Sequence, residues 1–124
     1  MEILIKTLIA VVAVLHTYFL YLEMFAWTTR GPKVFKTIPA GQFAVTKTMA
    51  GNQGLYNGFL AAGLYWSLLI KNPGWAQNVS LFFLTCVAIA GIYVAFTASN
   101  RIFFIQACPA LVAILLMLFS TIRA

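Results

Sequence analysis

The chain has 124 residues, 63% hydrophobic and 8% charged, with two acids against eight lysines and arginines and a net charge of +6. An ordinary soluble domain carries about 25% charged residues, and a small sphere coated with this composition would aggregate, so a soluble globular fold is excluded. The cations are scattered rather than gathered on one face, which excludes nucleic acid as a partner.

Four apolar runs follow in chain order. The first covers residues 3–27 and is broken only by Lys6, His16 and Glu23. It is too long for a signal peptide and ends at Glu23 and Trp27 without a small-residue cleavage site, which predicts a retained helix. Thr28-Thr29-Arg30-Gly31-Pro32-Lys33 closes it, since Pro32 disfavours helix in the residue before it. The longest connection, 28–47, sets Val34, Phe35, Ile38 and Phe43 among its lysines and reads as a short amphipathic segment at a membrane interface. The second run covers 48–70, and Lys71-Asn72-Pro73-Gly74 reads as a turn. The third covers 78–98, Ser99-Asn100-Arg101 forms a still shorter connection, and the fourth covers 102–122.

Each run has about 20 residues or more, enough to cross a hydrocarbon layer about 30 Å thick as a helix. Inside that layer every backbone amide must bond within its own segment, and the ten-residue alternation of transmembrane β-strands is missing. Short connections force neighbouring helices to run antiparallel. The expectation is a single all-α domain, an integral membrane four-helix bundle of up-down topology. Arg30, Lys33, Lys36, Lys47 and Arg101 flank the first and third connections, against Lys6, Lys71 and Arg123 on the other side, partly offset by Glu2. That bias puts the two connections in the cytoplasm and both termini outside. Cys86 and Cys108 fall about 8 Å apart in depth by helical rise, so they read as small packing residues rather than a disulfide or metal pair.

Polar side chains in a bilayer interior cost about 2.5–3.5 kcal/mol in the worst cases and are functional candidates by default. They are His16 and Glu23 on the first helix, Asn52, Gln53 and Asn57 on the second, Tyr93 on the third and Gln106 on the fourth. With alternating helix direction, Glu23, Gln53, Tyr93 and Gln106 fall about 6–8 Å inside the cytoplasmic boundary, Asn57 about 13 Å, and His16 near the midplane. His16 and Glu23 share a face at two helical turns, and Gln53 and Asn57 are one turn apart with Tyr56 beside them. Gly54 and Gly58, extended by Ala62, make a small-xxx-small stripe on the opposite flank. Pro109 frees the carbonyl of Ile105, one residue from Gln106. These placements predict a polar pocket walled by tyrosines, with Glu23, His16, Asn52, Gln53, Tyr56, Asn57, Tyr93 and Gln106 as ligand-binding residues. The plainer reading is that the amides and tyrosines hydrogen-bond across helix interfaces as structural glue, that the glycines pack, and that Trp27 and Trp75 sit in interfacial belts. A short internal echo relates Gly54-Leu55-Tyr56-Asn57-Gly58-Phe59-Leu60-Ala61 to Gly91-Ile92-Tyr93-Val94-Ala95-Phe96-Thr97-Ala98.

Tyr21-Leu22-Glu23-Met24-Phe25 with Trp27-Thr28-Thr29, Ala50-Gly51-Asn52-Gln53-Gly54-Leu55-Tyr56-Asn57-Gly58 and Gln106-Ala107-Cys108-Pro109-Ala110 resemble the small bacterial membrane proteins grouped as domain of unknown function 1304. The resemblance covers nearly the whole chain. It implies four helices, a bacterial inner membrane and distant kinship with DoxX-like four-helix proteins, and it implies no particular activity.

Three functions compete. The favoured one is binding or transport of a small apolar or cationic organic molecule, in which a membrane carboxylate exchanges a proton for the ligand and aromatic faces attract the cation. One bundle encloses little volume, so transport would call for a homodimer. The second is a membrane enzyme for an isoprenoid, sterol-like or quinone substrate, with Glu23 and His16 as acid and base. Those two groups lie about 10 Å apart by helical rise, and no metal cluster, phosphate-binding glycine loop, Ser/His/Asp set or cofactor motif accompanies them. The third is an accessory subunit of a larger membrane complex.

Overall fold

The computed structural model describes residues 1–97 and 103–122, and all regular structure among them is helical. Helix α1 spans Glu2–Phe25, followed by two single-turn helices, α2 at Gly31–Val34 and α3 at Gln42–Val45. Helices α4 (Lys47–Leu69) and α5 (Pro73–Thr97) come next, and a π-helical turn, Phe103–Ala107, leads into α6 (Cys108–Ile122). Three stretches are long and apolar enough to cross a membrane: Glu2–Phe25, Pro73–Thr97 and Phe104–Thr121. Helix α4 has 23 residues, but its glycines and Asn52, Gln53 and Asn57 dilute its apolar content.

Helix ends depart from the sequence pattern where local hydrogen bonds override it. Helix α1 stops two residues before Trp27, where Ala26 leaves helical geometry (φ −127°, ψ 17°), and the Ala26 carbonyl then accepts the amides of Arg30 and Gly31 at 2.8 and 3.1 Å. Helix α5 begins at Pro73, five residues before the expected start, and Pro73-Gly74 belongs to the helix rather than to a turn. Asn72 Oδ1 accepts the Trp75 amide at 3.0 Å. It thereby caps a helix whose first residue, Pro73, has no amide to leave unsatisfied. Near the other proline, Pro109 supplies no donor to the Ile105 carbonyl and its ring crowds that oxygen, so the preceding turn widens to the π form. Ala98, the connection Ser99-Asn100-Arg101, Ile102 and Arg123 lie outside the described residues.

Helix α1 forms its most extensive interface with α4, and further interfaces join α4 to α5, α5 to α6 and α6 back to α1. Contacts between Trp27 and Thr46, Glu23 and Asn57, and Thr17 and Tyr65 set α1 and α4 antiparallel. The core they enclose includes Val12, Ala13, Leu64, Leu84, Val87 and Ala113. Lipid tails are as apolar as leucine, so close packing of small residues holds such helices together. A Cβ at Gly54 would lie 2.8 Å from Met24 Cγ, 3.0 Å from Glu23 Cβ and 3.1 Å from the Leu20 carbonyl. At Gly91 it would lie 2.6 Å from Ala107 Cβ. The internal echo thus has a physical content over its described part: each copy puts its glycine where a neighbouring helix comes closest, and its tyrosine, Tyr56 or Tyr93, on the outside.

Candidate functional site

Glu23 is the one acid away from the chain start, and the fold buries it. Leu20, Glu23 and Met24 form the strip of α1 that lies on Gly54 of α4. Since α1 ends at Phe25, Glu23 belongs to its last turn, about 3 Å from the helix end by axial rise, where a helix running to Trp27 would have set it about 6 Å inside. It remains 8% exposed. Asn57 Nδ2 donates to Glu23 Oε2 at 2.7 Å, the only hydrogen bond or ion pair of that carboxylate among the described residues. Asn57 lies three residues from Gly54, on the face of α4 turned toward α1.

Below this pair the connection folds into an aromatic cap. Phe43 is 2% exposed, and its ring centroid lies 5.0 Å from that of Trp27, which also meets Phe35 at 5.5 Å. Gly31 admits Phe43, whose Cε1 would stand 2.9 Å from a Cβ at that position. Trp27 Nε1 donates to Thr46 Oγ1 at 3.0 Å, and Thr46 in turn donates to the Gln42 carbonyl at 2.7 Å. Sequence reasoning placed the aromatic residues of this segment at an interface but missed Thr46, a residue type too common in loops to stand out.

His16 and Gln106 form a second pair, across α1 and the π turn. His16 is fully buried and Gln106 is 8% exposed. His16 Nδ1 lies 2.9 Å from the Val12 carbonyl, which only accepts, so this nitrogen carries the proton. The other ring nitrogen, Nε2, then accepts from Gln106 Nε2 at 3.2 Å. The two contacts together describe a neutral imidazole with both nitrogens satisfied. Gln106 therefore stands level with His16, deeper than expected and about 10 Å from the level of Glu23 by axial rise.

The remaining candidates do not join either pair. Asn52 and Gln53 are exposed, and Tyr56 and Tyr93 are 64% and 68% exposed on the outer surface. Gln53 does not share the inward position of Asn57, and Gly54 and Gly58 lie on the same side as Asn57 rather than on an opposite flank. The reason is geometric: residues 54, 57, 58 and 61 fall at the i, i+3, i+4, i+7 spacing of one helix face. Ala61 is buried on that face and Ala62 is exposed. Tyr18, Tyr21 and Trp66 are exposed as well. Thr17 Oγ1 and Tyr65 Oη, which sequence reasoning did not single out, lie 3.2 Å apart across α1 and α4. Cys86 and Cys108 are free, half-buried thiols. Among the described residues no three His, Cys, Asp or Glu side chains gather as a metal site would need.

Chemically, the Glu23–Asn57 pair offers a carboxylate whose single amide donor leaves capacity for a proton or an organic cation. The His16–Gln106 pair offers no spare imidazole nitrogen, since both nitrogens of His16 are engaged. No match to the chain is found among curated proteins or solved structures. A family model does match, over residues 10–118, a span that contains both polar pairs, the aromatic cap and the π turn. The chain belongs to the family described as Protein of unknown function (DUF1304).

Proposed function

We propose that this is a four-span bacterial inner-membrane protein of up-down topology that binds a small organic cation at the Glu23–Asn57 pair and exchanges it for a proton. In this reading α4 is the fourth span, the termini face outward, and the aromatic cap closes the cytoplasmic end. The observation that supports it is the buried Glu23 carboxylate held by an amide and by no cation among the described residues. An acid kept in a membrane helix at such cost is a functional candidate before it is a structural one. Gly54 presses α1 and α4 together at this level, so there is little room inside one chain. A homodimer joined through the α4 face bearing Asn52, Gln53 and Tyr56 would enclose that room, with tyrosine rings to receive the cation.

The test uses purified protein in proteoliposomes and tetraphenylphosphonium as the probe. The Glu23→Gln variant keeps the shape and the partner of Asn57 but loses the charge. It should bind the probe at least about tenfold more weakly, a loss of about 1.4 kcal/mol, and should abolish uptake driven by a pH gradient. Equal affinity and uptake in the two proteins would reject the proposal. The plainer reading, that the polar groups only tie helices together, is favoured for His16–Gln106 by the full burial of His16 and the engagement of both its ring nitrogens.

A further inference from the structure

The end of the molecule opposite Glu23 contains a cavity of about 440 Å³, between the first two turns of α1, the α4–α5 connection and the last turns of α6. Its size is within the range of small-molecule pockets, about 300–1,000 Å³. The lining changes character with depth. Lys6, Lys71 and Ser120, all exposed, stand at the rim. Ile9 and Met117, 3% and 6% exposed, form the apolar wall beneath.

The rim carries two cations and one acid. Lys6 pairs with Glu2 at 2.6 Å, but both side chains are largely exposed, and such a pair exchanges easily for another anion. Lys71 has no carboxylate partner among the described residues. Gln77 Nε2 donates one hydrogen to Thr121 Oγ1 at 2.6 Å, and Thr121 donates onward to the Met117 carbonyl at 3.0 Å. Gln77 lines the cavity and keeps a second amide hydrogen beyond the one given to Thr121. Cations and neutral donors above an apolar wall match an anion with a hydrocarbon root, and not a free organic cation or a purely apolar molecule. The level is also right. Helices α1 and α6 contain two of the stretches long and apolar enough to cross a membrane, and the cavity sits at their ends, where a headgroup layer would lie. A lysine close to anionic headgroups is worth about 1 kcal/mol.

We propose that this cavity is a binding site for an anionic glycerophospholipid. Its phosphate is held by Lys6, Lys71 and the amide of Gln77, and its glycerol and first acyl carbons lie against Ile9 and Met117. The site is independent of the Glu23–Asn57 pair and takes a ligand of opposite charge.

The full-length protein in neutral detergent micelles is titrated with phosphatidylglycerol, with phosphatidylcholine of the same acyl chains, and with inorganic phosphate, and bound molecules are counted by native mass spectrometry. Phosphatidylglycerol should bind about tenfold more tightly than phosphatidylcholine. Lys6→Gln and Lys71→Gln should each weaken it about fivefold, the worth of one surface lysine near an anionic headgroup. Lys33→Gln, an exposed cation at the other end, should leave it unchanged. Equal binding of the two lipids, or undiminished phosphatidylglycerol binding by both lysine variants, overturns the proposal. Inorganic phosphate binding as tightly as phosphatidylglycerol overturns the lipid assignment in favour of a site for free phosphate.

Discussion

Replacing Gly54 by alanine isolates the contact that brings Glu23 and Asn57 together. The new Cβ would lie 3.0 Å from Glu23 Cβ and 3.1 Å from the Leu20 carbonyl, against about 3.4 Å for an ordinary contact. Met24 Cγ, at 2.8 Å, can rotate away, but the other two atoms are fixed to the backbone of α1. Helix α1 must therefore retreat by 0.3–0.4 Å along a tightly packed seam. Such overpacking costs about 1–3 kcal/mol, partly offset by the 0.5–1 kcal/mol that alanine gains over glycine inside a helix. The same helix supplies its own control. A Cβ at Gly51 meets nothing within 4 Å, so Gly51→Ala should give only the helix gain and stabilise by about 0.5–1 kcal/mol. Subtracting the two removes the helix contribution and leaves the clash, about 1–3 kcal/mol.

The measurement is reversible unfolding in mixed micelles with rising mole fraction of sodium dodecyl sulfate, followed by circular dichroism. The Asn57–Glu23 bond, 2.7 Å in the native protein, should survive a 0.4 Å shift in Gly54→Ala and be severed in Gly54→Leu. The leucine variant should then also lose tetraphenylphosphonium binding while Gly51→Ala keeps it. If Gly54→Ala is as stable as Gly51→Ala, the α1–α4 seam is not the close contact described and the account of the site fails with it.

Three other outcomes are expected. A double-mutant cycle of His16→Phe and Gln106→Leu in the same unfolding assay should give a coupling of about 0.6–1.7 kcal/mol, the range for hydrogen bonds between membrane helices; additive effects would deny the bond. Trp27→Phe keeps the ring stack with Phe43 but removes the donor to Thr46, and should cost about 0.5–1.5 kcal/mol; Thr46→Val should cost more, because it also removes the donor to the Gln42 carbonyl, and Trp27→Phe should add nothing further on top of it. Pro109→Ala restores an amide to the turn before α6, so the π turn should relax and rotate Gln106 away from His16, read as a change in the imidazole nitrogen NMR shifts.

Helices long and apolar enough to cross a membrane, and the gathering of aromatic residues in the long connection, were legible because composition and run length carry them. The inward faces were not, and the reason is physical. Apolar periodicity marks the buried side of a helix only when the other side meets water. Here the outer side is itself apolar, as helices suited to a membrane require: Phe59, Phe82, Ile89 and Phe96 are exposed and as apolar as the core. That loss of contrast is why Gln53 and Asn57, only 40° apart around the helix at 100° per residue, could not be divided between outside and seam. Helix ends failed for a separate reason: Asn72, Pro73 and Pro109 act through single hydrogen bonds made or withheld, which no run of apolar residues records. Small residues carry the missing signal, because only they let helices approach closely in lipid. Ala13, Gly54, Ala61, Ala88, Gly91 and Ala110 are all buried. Ranking faces by such residues places Asn57 beside Gly54 and Ala61 in the seam, and leaves Gln53 and Tyr56 to the lipid or to a second copy of the chain. The same rule puts Gln106 inside, next to Ala107 and Ala110, where His16 waits for a donor.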